Sequence, residues 1–256
     1  MVVAIIGRGV YGSALGEIIE KNQNTVRFFD KVDGGAIETV LSDAEAVVLA
    51  IPSEFVSDFA LNFPTRFRHL PFILATKGLL LPDIFESFGR FSALSGPAFA
   101  QELRQQKSTT LTATNQLSQK LLQTDWLEIE LTDDIRGVMA CGTLKNIYAI
   151  EAGFRNLRPN SQEFMEYVKT ALSEMKKIIA ELGGQAETAD LACGIGDLIL
   201  TCGSPKSRNY QFGMKLAQNP SHLPTETTEG LTAIKSLPKD LLRLPLIKTI
   251  FEKIVI

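Results

Sequence analysis

The first thirty residues leave this chain little choice of fold. Val2-Val3-Ala4-Ile5-Ile6 is a short, nearly continuous apolar run, the pattern of a central parallel strand buried on both faces. It passes directly into Gly7-Arg8-Gly9-Val10-Tyr11-Gly12 and then Ser13-Ala14-Leu15-Gly16-Glu17-Ile18-Ile19, where apolar residues return at helical spacing. Strand, G-x-G-x-x-G, helix is the context in which this glycine spacing signals dinucleotide binding. Gly7 makes the tight turn, Gly9 lets the backbone approach a pyrophosphate, and Gly12 lets the helix pack on the strand. The helix N-terminus then faces the phosphates, with Arg8, Val10 and Tyr11 in the same loop.

A second strand follows in Val26-Arg27-Phe28-Phe29-Asp30. Its acid lies about 20 residues past the fingerprint, where a carboxylate bonds the adenosine ribose hydroxyls. The alternative for Asp30 is an acid that merely starts a loop. As a ribose ligand it repels a 2′-phosphate and favours NAD, while Arg27 and Lys31 nearby keep NADP possible.

Further apolar runs at Ala46 to Ile51, Phe72 to Thr76, Phe91 to Ser95, Thr109 to Thr114 and Leu127 to Leu131 alternate with short helical patterns. Strands alternating with helices imply right-handed crossovers and a doubly wound sheet. Ligands gather beyond the carboxyl ends of such strands, where Pro52-Ser53, Lys77-Gly78 and Ser95-Gly96-Pro97 stand. From Asp133 the grammar turns helical, with Ile135, Val138, Met139, Gly142, Leu144, Ile147 and Ile150 at three- and four-residue steps. A second long helix is expected from about Ser161 to Leu182. The expected architecture is an α/β Rossmann-like doubly wound sheet over residues 1–131, for the dinucleotide. An all-α domain over 132–256, for substrate and catalysis, follows.

Composition removes other classes. A net charge of −3 argues against bulk nucleic-acid binding, which needs a basic face. No apolar run approaches the ~20 residues of a membrane span, and the N-terminal run is needed as a strand rather than a signal peptide. Cys141, Cys193 and Cys202 form no C-x-x-C, and with only His69 and His222 a zinc site of the usual type is not expected. These thiols read as small buried residues of a cytoplasmic protein.

The chemistry concentrates later. Gly194-Ile195-Gly196-Asp197-Leu198-Ile199-Leu200-Thr201-Cys202, followed by Ser207-Arg208-Asn209, sets a carboxylate, a hydroxyl and a guanidinium within about four helical turns. Alone, it also reads as a glycine-punctuated helix start with surface charges. Lys145 interrupts an apolar helix, where a cation is costly unless it is paired or lines a cleft; the alternative is a lysine snorkelling to solvent. Hydride exchange with a carbinol needs a proton donor or acceptor at the oxygen, and lysine suits that task. Lys77 stands at the ligand edge of the sheet, or is simply a surface lysine before a turn glycine.

Taken in order, Gly7 to Gly12, Ala50-Ile51-Pro52-Ser53, Thr76-Lys77-Gly78, Ser95-Gly96-Pro97-Ala98-Phe99-Ala100-Gln101-Glu102, Leu144-Lys145-Asn146, Gly194 to Leu198, Thr201-Cys202, Ser207-Arg208-Asn209 and Glu229-Gly230 resemble the NAD(P)-dependent sn-glycerol-3-phosphate dehydrogenases along nearly the whole chain. The resemblance implies interconversion of dihydroxyacetone phosphate and glycerol 3-phosphate, which supplies phospholipid backbones. It implies Lys145 as general acid/base, Asp197 tuning its charge, Asn146 and Thr201 contacting substrate, and Lys77 as a second cation. Arg208 and Asn209 are implied as phosphate ligands, a role that suits a guanidinium fork. Ser95 and Gly96 go with the substrate; Pro52, Lys77, Ala100, Arg208 and Glu229 go with the cofactor. A homodimer through the helical domain is also implied.

Departures from the family pattern mark a shortened member. Arg8 stands where a small residue is usual, and either crowds or binds the pyrophosphate. The chain between Asp30 and Ala46 is too short for the helix and strand carried there by relatives. Lys169-Thr170-Ala171 replaces an Arg-Gly, and only 26 residues follow Gly230, where relatives close the site with a longer segment. Two other readings stay open: a reductase of another small phosphorylated or carboxylated carbonyl compound, since arginine also binds carboxylate, and a catalytically weak or inactive nucleotide-binding relative, since fold alone does not establish turnover.

Overall fold

Among the described residues, seven short strands pair into one sheet: β1 (Val2–Ile6), β2 (Thr25–Phe29), β3 (Ala46–Leu49), β4 (Pro71–Leu74), β5 (Arg90–Ser95), β6 (Thr109–Ala113) and β7 (Leu127–Leu131). Their spatial order is β2-β1-β3-β4-β5-β6-β7. The computed structural model describes residues 1–78, 83–219 and 228–254; His222 lies outside them. The chain divides into two units, the first made of residues 1–77 and 83–135 and the second of Gly78 and the residues from Arg136 on.

In the first unit, helices α1 (Val10–Lys21), α2 (Ile37–Leu41), α3 (Val56–Asn62), α4 (Ala100–Arg104) and α5 (Gln116–Leu122) connect the strands. Side chains alternate across a strand, so each strand feeds two cores. Val3, Ile5, Val48, Ile73 and Leu94 pack with Leu15, Ile19, Leu103, Leu121 and Leu122 from α1, α4 and α5. Phe72, pointing the other way, meets Phe88 edge-on at 4.8 Å and Phe63 at 5.1 Å, a geometry aromatic rings favour.

β2, β1, β3, β4 and β5 are mutually parallel. The join of β5 to β6 is antiparallel, and β7 then runs parallel to β6, so the crossovers expected from the alternation do not persist through the whole sheet. The connection into β6 carries only the five residues of α4. The chain re-enters the sheet from the end at which β5 finishes, so β6 runs against β5. The span from β2 to β3 is equally lean, carrying the five residues of α2. Nothing pairs outside β2 among the described residues, whereas the fuller doubly wound order has a strand there.

The second unit is built on α6 (Ile135–Phe154), with α7 (Gln162–Glu181), α8 (Asp197–Cys202), α9 (Arg208–Gln218), α10 (Glu229–Ser236) and α11 (Pro245–Ile254). Every residue of α6 from Gly137 to Gly153 is buried, as befits a helix that is apolar all round. Ser161 caps α7 by accepting from the Phe164 N–H at 3.1 Å, a bond worth about 1 kcal/mol. Close backbone approach sets the packing on α6: a Cβ at Gly213 would run into the Ile150 carbonyl, and one at Gly153 into that of Tyr210. Among the described residues, no helix is long and apolar enough to cross a membrane. All three cysteines are buried and unbridged.

Candidate active site

Because β1 to β5 are parallel, their carboxyl ends share one edge of the first unit. The residues expected to hold a cofactor gather there. Gly7 follows β1, Asp30 follows β2, Pro52 lies just past β3 and Lys77 just past β4; Ser95 ends β5, Gly96 follows, and Ala100 opens α4. Gly7 has φ +102°, and a Cβ on it would sit 2.6 Å from the Ala50 carbonyl oxygen. A Cβ at Gly12 would run into the carbonyl of Gly7, whereas the space beside Gly9 is open. Gly9 is the N-cap of α1 and no side chain caps that end. Lys77 Nζ donates to the Ala98 carbonyl at 3.5 Å and lies 4.5 Å from the centre of the Tyr11 ring, a cation–π distance.

Asp30 braces this loop. Its Oδ1 accepts the Val32 N–H at 3.0 Å and its Oδ2 accepts the Arg8 N–H at 2.9 Å. These two backbone bonds hold the carboxyl below its ordinary range, with the Arg8 charge adding to them against a small opposing effect of burial.

The second unit assembles the other set. Lys145 and Asp197 are each 2% exposed and form an ion pair, so Lys145 does not snorkel and Asp197 is no surface ornament. Thr201 Oγ1 donates to Asp197 Oδ1 at 3.0 Å. The glycines of the motif explain this placement. Ala192–Gly196 is one turn of π-helix leading into α8, a local widening common at functional sites. A Cβ at Gly194 would run into the Ala189 carbonyl, so the turn requires glycine there. It delivers Asp197 as the first residue of α8, the helix end that favours a carboxylate. Removing one partner of such a buried pair typically costs about 3–5 kcal/mol.

One residue along α6, Asn146 Oδ1 accepts from Asn209 Nδ2 at 3.0 Å, and Asn209 Oδ1 accepts from the Gly230 N–H at 2.9 Å. Gly230 is close enough for this because it has no Cβ to meet the Asn146 carbonyl, 2.5 Å away from where one would be. Arg208, whose side chain is 73% exposed, pairs with Glu229. Lys145, Asn146, Asp197, Thr201, Arg208, Asn209 and Glu229 thus form three adjoining polar links on α6, α8, α9 and α10.

The sequence reading missed a further buried acid. Glu151, on α6 like Lys145, is 2% exposed. It accepts from the Tyr167 hydroxyl at 3.4 Å and lies 3.9 Å from Arg155. Burial pushes its carboxyl up to about 8, with Glu174 adding to the rise and Arg155 and Tyr167 opposing it. The signal was available: a charge inside an apolar helix, the criterion that singled out Lys145.

Residues 134–255 match the family model described as NAD-dependent glycerol-3-phosphate dehydrogenase C-terminus. Over 240 residues the chain is 33% identical to glycerol-3-phosphate dehydrogenase (NAD(P)+) of Acaryochloris marina, covering 86% of this chain and 76% of that relative. The chain belongs to the glycerol-3-phosphate dehydrogenase family. Another family member, from Acholeplasma laidlawii, is 27% identical over an alignment reaching 99% of this chain and 93% of its own. The fold agrees: the solved glycerol-3-phosphate dehydrogenase of Coxiella burnetii superposes with a TM-score of 0.80 at 23% identity, covering 99% of this chain and 94% of that one.

A family of this kind requires a place for a dinucleotide, and residues of the first unit fit one. The open space at Gly9 and the uncapped N-terminus of α1 suit a pyrophosphate, since unpaired helix N–H groups and the helix dipole favour anions. Each Asp30 oxygen accepts one backbone N–H and has a second lone pair, available to a ribose hydroxyl.

Proposed function

We propose that this chain interconverts dihydroxyacetone phosphate and sn-glycerol 3-phosphate with NAD(P)H, the first unit binding the dinucleotide and the second carrying the substrate groups. The observation that carries the reading is the buried Lys145–Asp197–Thr201 link beside Asn146–Asn209 and Arg208. A bound dihydronicotinamide supplies the hydride to the ketone carbon. Lys145 gives a proton to the ketone oxygen as it becomes a hydroxyl, and takes one back in the reverse direction. Asp197 holds the Lys145 ammonium in place, and Thr201 fixes the rotamer of Asp197 by occupying its other oxygen. Asn146 and Asn209 position substrate oxygens through an amide pair already locked together. Arg208 meets the phosphate with the guanidinium edge that Glu229 leaves open. The family pattern adds Lys77 as a second cation for the substrate, Ser95 and Gly96 as its backbone neighbours, and a cytoplasmic homodimer as the assembly.

The direct test is absorbance-monitored oxidation of NADH by purified protein with dihydroxyacetone phosphate, with NADPH in parallel. Saturable turnover supports the reading; NADH binding with no turnover on this substrate refutes it. Arg208→Ala is expected to raise the KM for dihydroxyacetone phosphate by about 10- to 100-fold, the worth of a hydrogen bond to a charged group, and the cofactor KM far less. Equal increases in both KM values contradict a phosphate-binding Arg208.

A further inference from the structure

Arg8 occupies the second position of the glycine fingerprint, and the structure gives it two distinct functions. Its backbone N–H goes to Asp30 Oδ2 at 2.9 Å, tying the fingerprint loop to the end of β2. Its guanidinium extends over the Phe28 ring, 5.4 Å from the centroid, and reaches Asp33 Oδ2 at 3.5 Å. Both ends of that ion pair are more than half exposed, so it is weak and readily exchanged. Phe28 belongs to β2, the strand that ends at Asp30, so the guanidinium lies over the same strand end. Arg27, the arginine of β2 itself, is bonded to Asp43 instead.

Asp30 by itself selects against a 2′-phosphate, because its carboxyl is held in the charged form by the Val32 and Arg8 N–H groups. A cation within reach of the same ribose reverses that preference. Building on the dinucleotide reading above, we propose that Arg8 is a 2′-phosphate ligand held in reserve by Asp33. With NADH the Arg8–Asp33 pair stays closed and Asp30 meets the ribose hydroxyls. With NADPH the guanidinium leaves Asp33 and pairs with the 2′-phosphate, offsetting the repulsion from Asp30. The chain therefore accepts both cofactors, and Asp33, which touches neither, sets the ratio between them. No bond is made or broken in this exchange; one ion pair replaces another.

The test is equilibrium binding of NADH and NADPH to the full chain, followed by nicotinamide fluorescence, for wild type, Arg8→Gln and Asp33→Asn. Arg8→Gln is expected to raise the NADPH-to-NADH ratio of Kd by about tenfold or more, the loss of one charge-assisted bond. Asp33→Asn is expected to lower the same ratio by about three- to fivefold, the release of an exposed ion pair. The Asp33→Asn shift should shrink as salt is raised. If Arg8→Gln weakens both cofactors equally, Arg8 serves the pyrophosphate and the proposal is overturned. It is overturned equally if Asp33→Asn leaves the ratio unchanged. Failure of wild type to bind NADH at all overturns instead the dinucleotide reading on which the proposal rests.

Discussion

Replacing Lys145 with methionine is expected to lower kcat by a factor of about 10²–10⁴, the range spanned by a positioned general acid. The dinucleotide Kd should change by less than about twofold, because Lys145 is not among the residues assigned to the cofactor and the glycine fingerprint lies on the first unit. Methionine fills the same volume without a charge, but it leaves Asp197 buried without its cation, with the Thr201 hydroxyl still bonded to it. That costs stability, since a buried carboxylate without its cation is strongly disfavoured. The double variant Lys145→Met/Asp197→Asn removes both charges and isolates the chemical role from the structural one. Both variants should be inactive and the double one should melt higher than the single. Turnover within about tenfold of wild type in a folded double variant removes Lys145 from the proton transfer.

Glu151→Gln should make the protein more stable at neutral and alkaline pH, by about 3 kcal/mol at pH 7. In the folded chain Glu151 keeps its proton up to about 8, against an ordinary value of 4.5. In the unfolded chain it loses that proton as pH passes 4.5. Between these values the folded state binds the extra proton, so the Glu151 contribution is fully present below about 4.5 and is lost progressively up to about 8. Each unit of the gap is worth 1.36 kcal/mol at most. Glutamine keeps the shape and the acceptor for Tyr167 but has no proton to lose. The variant is therefore expected to melt about 6–12 °C above wild type at pH 7 and within a few degrees of it at pH 4.5. Two melting curves at each pH decide it. An equally steep loss of stability with pH in the variant assigns the effect elsewhere, with Glu174, also raised by burial, the next group to replace.

The buried acid marks a general limit of reading charges from a chain. Lys145 and Glu151 sit on one helix and break the apolar pattern in the same way. Pattern alone flags both as costly and cannot say how each is accommodated. Lys145 is neutralised by Asp197, 52 residues away. Glu151 has Arg155 only at 3.9 Å and is accommodated by holding its proton. A contact across such a separation depends on how α6 and α8 pack, and that is absent from any local window of sequence.

What the sequence determined by itself is the set of features with short-range causes. The strand–glycine–helix opening, the strand boundaries to within a residue or two, the start of α7 near Ser161 and the glycines of the fingerprint all follow from rules acting over fewer than ten residues, chiefly apolar periodicity and the conformational freedom of glycine. The tertiary structure alone decided three things. It turned β6 against β5 although α4 is as long as the α2 that joins the parallel β2 and β3, so helix length in the sequence did not settle strand direction. It turned Ala192–Gly196 into a π-helical turn, because Gly194 must pass the Ala189 carbonyl. And it joined Asn146 to Asn209 and Gly230, because helices that meet without side chains between them bring distant polar groups within bonding distance. Local propensity places residues on elements; which polar groups end up buried together depends on close packing between elements, where a single Cβ is enough to prevent the contact.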